Sequence, residues 1–404
     1  MRLTISAAGG ELQLVVAAGT SRHQASLRWD EARVTSASQQ LIDVLARGAR
    51  ARNLSRAALA DLRTVGEELY LALFPPAIRD ELAEVEGRAL LLEMDERFVA
   101  IPWELAYDGR AFLCRRFDLG RAVLTPGPRR TAPPRELGRP ARIWILCSDV
   151  HGDLPAVLDE GEAVLGVLEE HRGVEARLAS GKSLAEVRGA LADYDLVHFV
   201  GHAEYVRTDP QASGWHLADG TLAARDLVDL AGGRRMPLVV FANACASAHE
   251  TSWRGDDPGR VFGMASAFLL AGVGHYLGTQ WEIVDAQSRI FARAFYAELG
   301  RGRAIGAAVR RARDAVIVAE GESSLGWAAY VLYGDPGFAP LDGADAPPAI
   351  PALPTPSEIA SRDSIKGVLK RRPQLSPGAA FPWVRVVIAV LLFAAALVAA
   401  LVLR

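Results

Sequence analysis

The sequence predicts an α/β protein on a mostly parallel sheet, with a small α+β region before it and a single membrane-spanning helix after it. Three observations carry this. From residue 141 onward, short apolar runs alternate with stretches of helical period. Before residue 135, strand-like segments come first and helices follow. From Val386 to Leu403 no polar residue interrupts the chain. The 404 residues therefore divide into an N-terminal region 1–135, an α/β domain 136–340, a Pro/Ala-rich linker 341–382 and a spanning segment 383–404.

The first strands are expected at Arg2–Ile5, Leu12–Val16 and Ala25–Trp29, with Gly- and Ser-containing turns between them. Helices follow at 37–50 and 56–74. In the second, Leu62, Val65, Leu69 and Leu73 recur at helical spacing, and Pro75-Pro76 ends it. Leu90–Met94 reads as a strand. Residues 126–140 are rich in proline and read as a connection between subdomains. In the α/β domain, strands are expected at Ile143–Cys147, Val174–Leu178, Leu196–Val200, Pro237–Ala242, Val273–Gly278 and Ala328–Leu332. Helices are expected at Glu160–Glu170, Leu184–Ala192, Ala223–Leu230, Val261–Leu270, Ala286–Leu299 and Ala304–Val318. Such alternation implies a parallel sheet covered on both faces.

The chain is half hydrophobic with a net charge of -3, so it can bury a sizeable core and lacks the basic surplus of a general nucleic-acid binder. Its three cysteines, Cys114, Cys147 and Cys245, are far apart. That argues against a disulfide framework or a zinc site, and no cofactor or metal is expected. Cys114 and Cys147 read as ordinary buried thiols. The N-terminus lacks the apolar core of a signal peptide. The apolar run to Leu403 approaches the ~20 residues that cross a bilayer, and Trp383 suits the headgroup region. Lys366, Lys370, Arg371, Arg372 and Arg385 precede it, and only Arg404 follows. The positive-inside rule then keeps the large N-terminal part in the cytoplasm, as a single-pass protein of a bacterial inner membrane.

Reactive groups of open α/β sheets collect beyond the carboxyl ends of the strands. The strand Leu196–Val200 runs out at Gly201, and His202 follows on the loop. The strand Pro237–Ala242 runs out at Asn243, and Cys245 begins the next loop. If those strands are neighbours, imidazole and thiol face each other. A thiol of ordinary pKa, about 8.5, is mostly protonated at neutral pH. A nearby imidazole accepts that proton, leaving a thiolate to attack a carbonyl carbon, and then protonates the leaving amine. The amides of Ala203 and Cys245 are the candidate oxyanion donors. On these residues alone, a strand-end Cys also suits a small buried hydrophobe, and a strand-end His suits hydrogen-bonded structure. Alternation places His198 on the side of Val200, as a core residue or a support for the site.

His198-Phe199-Val200-Gly201-His202-Ala203 resembles the His-x-x-x-His-Gly/Ala box of CHAT domains, whose second His is catalytic. Val239-Val240-Phe241-Ala242-Asn243-Ala244-Cys245 resembles their apolar strand ending in an Ala-Cys nucleophile. Three further stretches are similar to the same family: Ile101-Pro102-Trp103-Glu104-Leu105-Ala106-Tyr107-Asp108, the segment from Phe268 through Gly278-Thr279-Gln280-Trp281 to Asp285, and the segment from Trp327 to Pro336. The resemblance covers about 85–340 and so includes the later part of the N-terminal region. It implies a caspase-like αβα sandwich and a cysteine endopeptidase with His202 and Cys245 as its dyad. Ala203 departs from the Gly of caspases proper, which keeps the amide but brings a methyl near the substrate.

Asp149 and Asp153 are candidates for an acidic substrate pocket or are solvated loop carboxylates, and the same holds for Asp256 and Asp257. Trp281 either packs or lines the cleft. The resemblance further implies a protein substrate, encoded nearby and of pore-forming or membrane-acting type, in bacterial antiviral defence or regulated cell death. The alternative is a non-catalytic, membrane-tethered scaffold or adaptor.

Overall fold

The computed structural model describes residues 1–341 except 19–20, 52, 85–88, 125–135, 151, 153–155, 205, 207, 231–234, 245–263 and 282. The expected linker beyond 341 and the expected span 383–404 lie outside the described residues. Among the described residues, no helix is long and apolar enough to cross a membrane.

The N-terminal part begins with three strands, β1 (Arg2–Ala8), β2 (Glu11–Ala18) and β3 (Ser21–Arg28). Leu3, Ile5, Leu12, Leu14 and Val16 alternate inward and are fully buried, which fixes the register of both hairpins. Helices α1 (Glu31–Ala51), α2 (Arg56–Leu73) and α3 (Pro76–Ala83) follow. α1 starts ahead of the expected residue 37 because Val34 already belongs to its buried stripe, with Ala37, Leu41, Val44 and Leu45. Strand β4 (Ala89–Asp95), the short α4 (Leu113–Arg116) and β5 (Asp118–Leu124) complete this part. The sequence reading gives no element for β5. Arg121 interrupts its apolar run, yet lies fully buried against Glu104.

The second part contributes β6 (Ala141–Ser148), α5 (Ala156–Glu169), β7 (Val174–Ser180), α6 (Leu184–Ala190) and β8 (Leu196–Gly201). Next come the short strands β9 (Ala203–Glu204), β10 (Gly214–Leu217) and β11 (Gly220–Ala223), then α7 (Ala224–Leu230), β12 (Val239–Asn243) and α8 (Met264–Leu270). The chain continues through β13 (His275–Thr279), α9 (Asp285–Gly300), α10 (Ile305–Glu320), α11 (Gly326–Ala329) and β14 (Tyr330–Tyr333). The last strand is shorter than expected, because Ala328 and Ala329 close a helical turn behind the buried Trp327.

Among the described residues, eleven strands form one sheet in the order β3-β2-β1-β4-β5-β14-β13-β12-β8-β6-β7, so strands from both sides of residue 135 share it. The pairs from β1/β4 through β4/β5 to β5/β14, and from β13/β12 through β12/β8 and β8/β6 to β6/β7, are parallel. The N-terminal hairpins and β14 against β13 are antiparallel. A separate three-stranded antiparallel sheet, β11-β10-β9, continues directly from the end of β8.

Right-handed crossovers put α5 on one face of the sheet and α6, α7 and α8 on the other. α9 packs beside α5 and α10 beside α9, and α7 packs on α8. The chain therefore leaves β6 toward one face and leaves its neighbour β8 toward the other. That divergence opens a crevice at the carboxyl ends of the strands.

Candidate active site

His202 stands at this crevice, half-buried, between β8 and β9. Its backbone is held by the His216 N–H, which donates to the His202 carbonyl at 3.0 Å. Gly201, just before it, allows β8 to close on β6: a Cβ at 201 would lie 2.4 Å from the Ser148 carbonyl oxygen. Ala203 faces Trp215 across the small sheet. Because His216 donates to His202, Ala203 and Trp215 form a non-hydrogen-bonded pair, and the Ala203 amide is not used by β10.

β12 lies directly beside β8 in parallel, and the register pairs Asn243 with Val200. In the sequence, His202 follows Val200 by two residues and Cys245 follows Asn243 by two. Cys245 itself lies outside the described residues. Ala244, just before it, is buried, and its carbonyl accepts the Thr279 hydroxyl of β13 at 2.6 Å.

At the ends of β8 and β12 is a cluster that the sequence reading does not anticipate. Glu160 of α5 is 2% exposed and its carboxylate accepts three hydrogen bonds. His198 Nε2 lies 3.2 Å from Oε1, Asn243 Nδ2 donates to Oε1 at 2.6 Å, and Ser288 Oγ donates to Oε2 at 2.7 Å. The carboxylate partner assigns the His198 proton to Nε2, and Nδ1 meets no donor among the described residues. The Tyr330 hydroxyl of β14 donates to Asn243 Oδ1 at 3.0 Å. Burial, and then the charge of Glu160, hold the Tyr296 and Tyr330 hydroxyls well above the ordinary phenol range. His198 has no exposed surface and meets Phe241 edge-on, with ring centroids 4.6 Å apart. It is thus a core residue, held by the Glu160 carboxylate. Its companion Glu160 has a sequence signal: it falls on the apolar stripe of α5, three residues after Val157 and four before Val164.

A small cleft opens above this cluster, bordered by Val200 and Gly201, Asn243 and Ala244, Thr279, and Asp285 with Ser288. Asp149 is exposed just beyond β6 and does not line the cleft. Asp153, Asp256 and Asp257 lie outside the described residues. Trp281 is half-buried and packs on the core, also outside the cleft lining. Cys114 and Cys147 are each 1% exposed. Burial raises the Cys114 thiol to about 11; burial together with Glu160 and Glu162 raises Cys147 to about 12. Among the described residues, no group of three or more His, Cys, Asp or Glu side chains is placed to hold a metal ion.

A large, mostly parallel sheet of this order, with the strand before His202 directly beside the strand before Ala244, is consistent with a caspase-like α/β fold. The CHAT domain profile matches residues 63–335. The chain belongs to the CHAT domain family. Among solved structures, two of the Saccharomyces cerevisiae separase–securin complex, at 3.0 and 2.6 Å, resemble it. Each has a TM-score of 0.50 at 12% identity and covers 82% of this chain. This chain spans 30% of the separase chain, and the likeness speaks for the fold. Among curated proteins, none matches the sequence significantly.

Proposed function

We propose that this protein is a cysteine endopeptidase that cuts a protein substrate through His202 and Cys245. The observation that supports the reading is the parallel register of β8 and β12, which pairs Asn243 with Val200, each two residues before Cys245 or His202 in the sequence. The imidazole of His202 takes the Cys245 thiol proton, and the thiolate adds to the scissile carbonyl carbon. The amides of Ala203 and Cys245 receive the developing oxyanion. Collapse of that adduct breaks the C–N bond, with the proton returned by His202 to the amine. Water then hydrolyses the thioester and restores the thiol.

The terminal segment 383–404 anchors the enzyme in a bacterial inner membrane, with the linker 341–382 holding the catalytic part on the cytoplasmic side. The substrate is a protein acting at or near that membrane and encoded close by, in keeping with a defensive role. The test is incubation of the full-length protein and its Cys245→Ala variant with the products of neighbouring genes. Cleavage by the first alone is expected. Equal cleavage by both would remove Cys245 as nucleophile.

A further inference from the structure

We propose that Glu160 is a positioning residue for the dyad. By accepting hydrogen bonds from β8 and β12 together, it sets the level at which these strands end, and so the separation of His202 from Cys245. The inference rests on the peptidase reading above.

The argument begins with where the donors sit. His198 is four residues before His202, on the same strand, and Asn243 is two residues before Cys245. Both donate to the same oxygen, Oε1 of Glu160. The second oxygen takes Ser288 of α9, whose hydroxyl also lies 2.8 Å from the Asp285 carbonyl. Asn243 is fixed from its other side by Tyr330, and Ala244 by Thr279. Side chains from β8, β12, β13, β14, α5 and α9 therefore converge on the few residues that carry the two loops.

A stability role accounts for this poorly. Position 160 lies on an apolar helix stripe, where a hydrophobic residue would pack as well, and buried charges seldom add net stability over apolar replacements. A polar network whose central carboxylate has both oxygens engaged instead selects one arrangement of its members. Parallel neighbours held only by their backbone ladder tolerate small shifts along the strand. A bifurcated acceptor between His198 and Asn243 does not. Glu160 borders the cleft, but both of its oxygens are engaged by the protein, so its carboxylate serves the strands and leaves recognition of the substrate to other groups.

Glu160→Gln and Glu160→Ala in the full-length protein separate geometry from bulk stability. Two readouts are used: cleavage kinetics, and the rate at which iodoacetamide alkylates Cys245. Displacement of reacting groups by about 1 Å costs about 100-fold in rate, so Glu160→Ala is expected to lower kcat by about that factor. KM should stay within about twofold, because substrate contacts remain. Alkylation of Cys245 should slow in parallel. Glu160→Gln keeps an oxygen for His198 and Asn243 and offers its N–H to the Ser288 hydroxyl, so it should recover activity to within about 10-fold of wild type.

If Glu160→Ala does not fold, Ser288→Ala removes one donor from the cleft side and should lower kcat without raising KM. Unchanged kcat in the Ala variant, or equal loss in Gln and Ala, would overturn the proposal. So would a raised KM with altered preference for the residue before the cut, which would make Glu160 a substrate-binding group. A wild-type Cys245 no more reactive than a free thiol would sink the dyad and this proposal with it. A reactive wild-type thiol left untouched by Glu160→Ala would sink the proposal alone.

Discussion

Replacing Arg121 with Met tests whether the sheet is held together by a buried ion pair. Arg121 sits in β5, at the junction with β14, and has no exposed surface; Glu104 is 2% exposed. Arg121 Nε donates to Glu104 Oε1 at 3.0 Å, and Nη2 donates to the other carboxylate oxygen. Nη1 and Nη2 also reach the carbonyls of Val99 and Ile101, at 2.7 and 3.2 Å. Arg121→Met would leave a carboxylate and two carbonyls buried without these donors. Removing one partner of a buried pair costs about 3–5 kcal/mol, and each orphaned carbonyl adds about 1 kcal/mol or more. The expected loss is therefore about 5–7 kcal/mol. Arg121→Met combined with Glu104→Met removes the stranded charge and should fall within about 2 kcal/mol of wild type. Equilibrium urea unfolding followed by tryptophan fluorescence reads both, since the buried Trp103 is the residue before Glu104. A single variant that loses less than about 1 kcal/mol, or a double variant as unstable as the summed singles, would refute the reasoning.

Four further outcomes are expected. Thr279→Val leaves the Ala244 carbonyl without its 2.6 Å donor, so stability should drop by about 1–3 kcal/mol and Cys245 alkylation should slow; Thr279→Ser should restore both in thermal melts and labelling. Gly201→Ala drives a methyl against the Ser148 carbonyl beside His202 and should cost about 1–3 kcal/mol, with reduced cleavage. Burial lowers the pKa of His275 and of His171 below the ordinary value of 6.5. The unfolded chain then binds more protons than the folded one as pH falls past 6.5, and the melting temperature should decline between about pH 7.5 and about pH 5.5, less steeply in His275→Gln. Deleting residues 383–404 should release the protein from the membrane fraction while cleavage of a soluble substrate persists.

The parts legible in the sequence are those with a repeating pattern. The strands around Ile143, Val197 and Val240 announce themselves as apolar runs, and the two loops after β8 and β12 follow from where those runs stop. What escaped depends on partners distant in sequence. β5 carries Arg121 inside an apolar run, which reads as exposed until Glu104 is known to meet it. The strands β9, β10 and β11 are two to four residues long and contain Gly214 and Gly220, too short to show a period. The stretch from Ile101 to Asp108 is visible as a family signature, but its physics is structural: the Trp103 indole donates to the Phe98 carbonyl, and Glu104 buries its charge on Arg121. The Glu160 cluster joins residues from five elements, and only the misplaced charge on the α5 stripe hints at it.

The role of the N-terminal region follows from the seam where the sheet closes. β14, the last strand among the described residues, is inserted between β5 and β13, so the N-terminal strands complete the sheet that contains β8 and β12. The backbone ladder at this seam is thin: the β14/β5 register consists of the Tyr333–Arg121 pair, supported by the Gly334 N–H donating to the Arg121 carbonyl at 2.8 Å. Guanidinium groups supply the rest. Arg121 clamps Glu104, Arg310 of α10 holds Asp118 of β5 at 2.7 Å, and Arg313 donates to the Trp327 and Tyr330 carbonyls on the approach to β14. On the surface, Glu322 joins Arg63 of α2 to Arg115 of α4. A planar fork that donates to two acceptors at once suits this task, whereas the point charge of Lys does not. Tyr330 then connects the seam to Asn243, two residues before Cys245 in the sequence. Loosening the N-terminal half should thus reach the active site along β14, through a hydrogen bond that both halves of the sheet help to place.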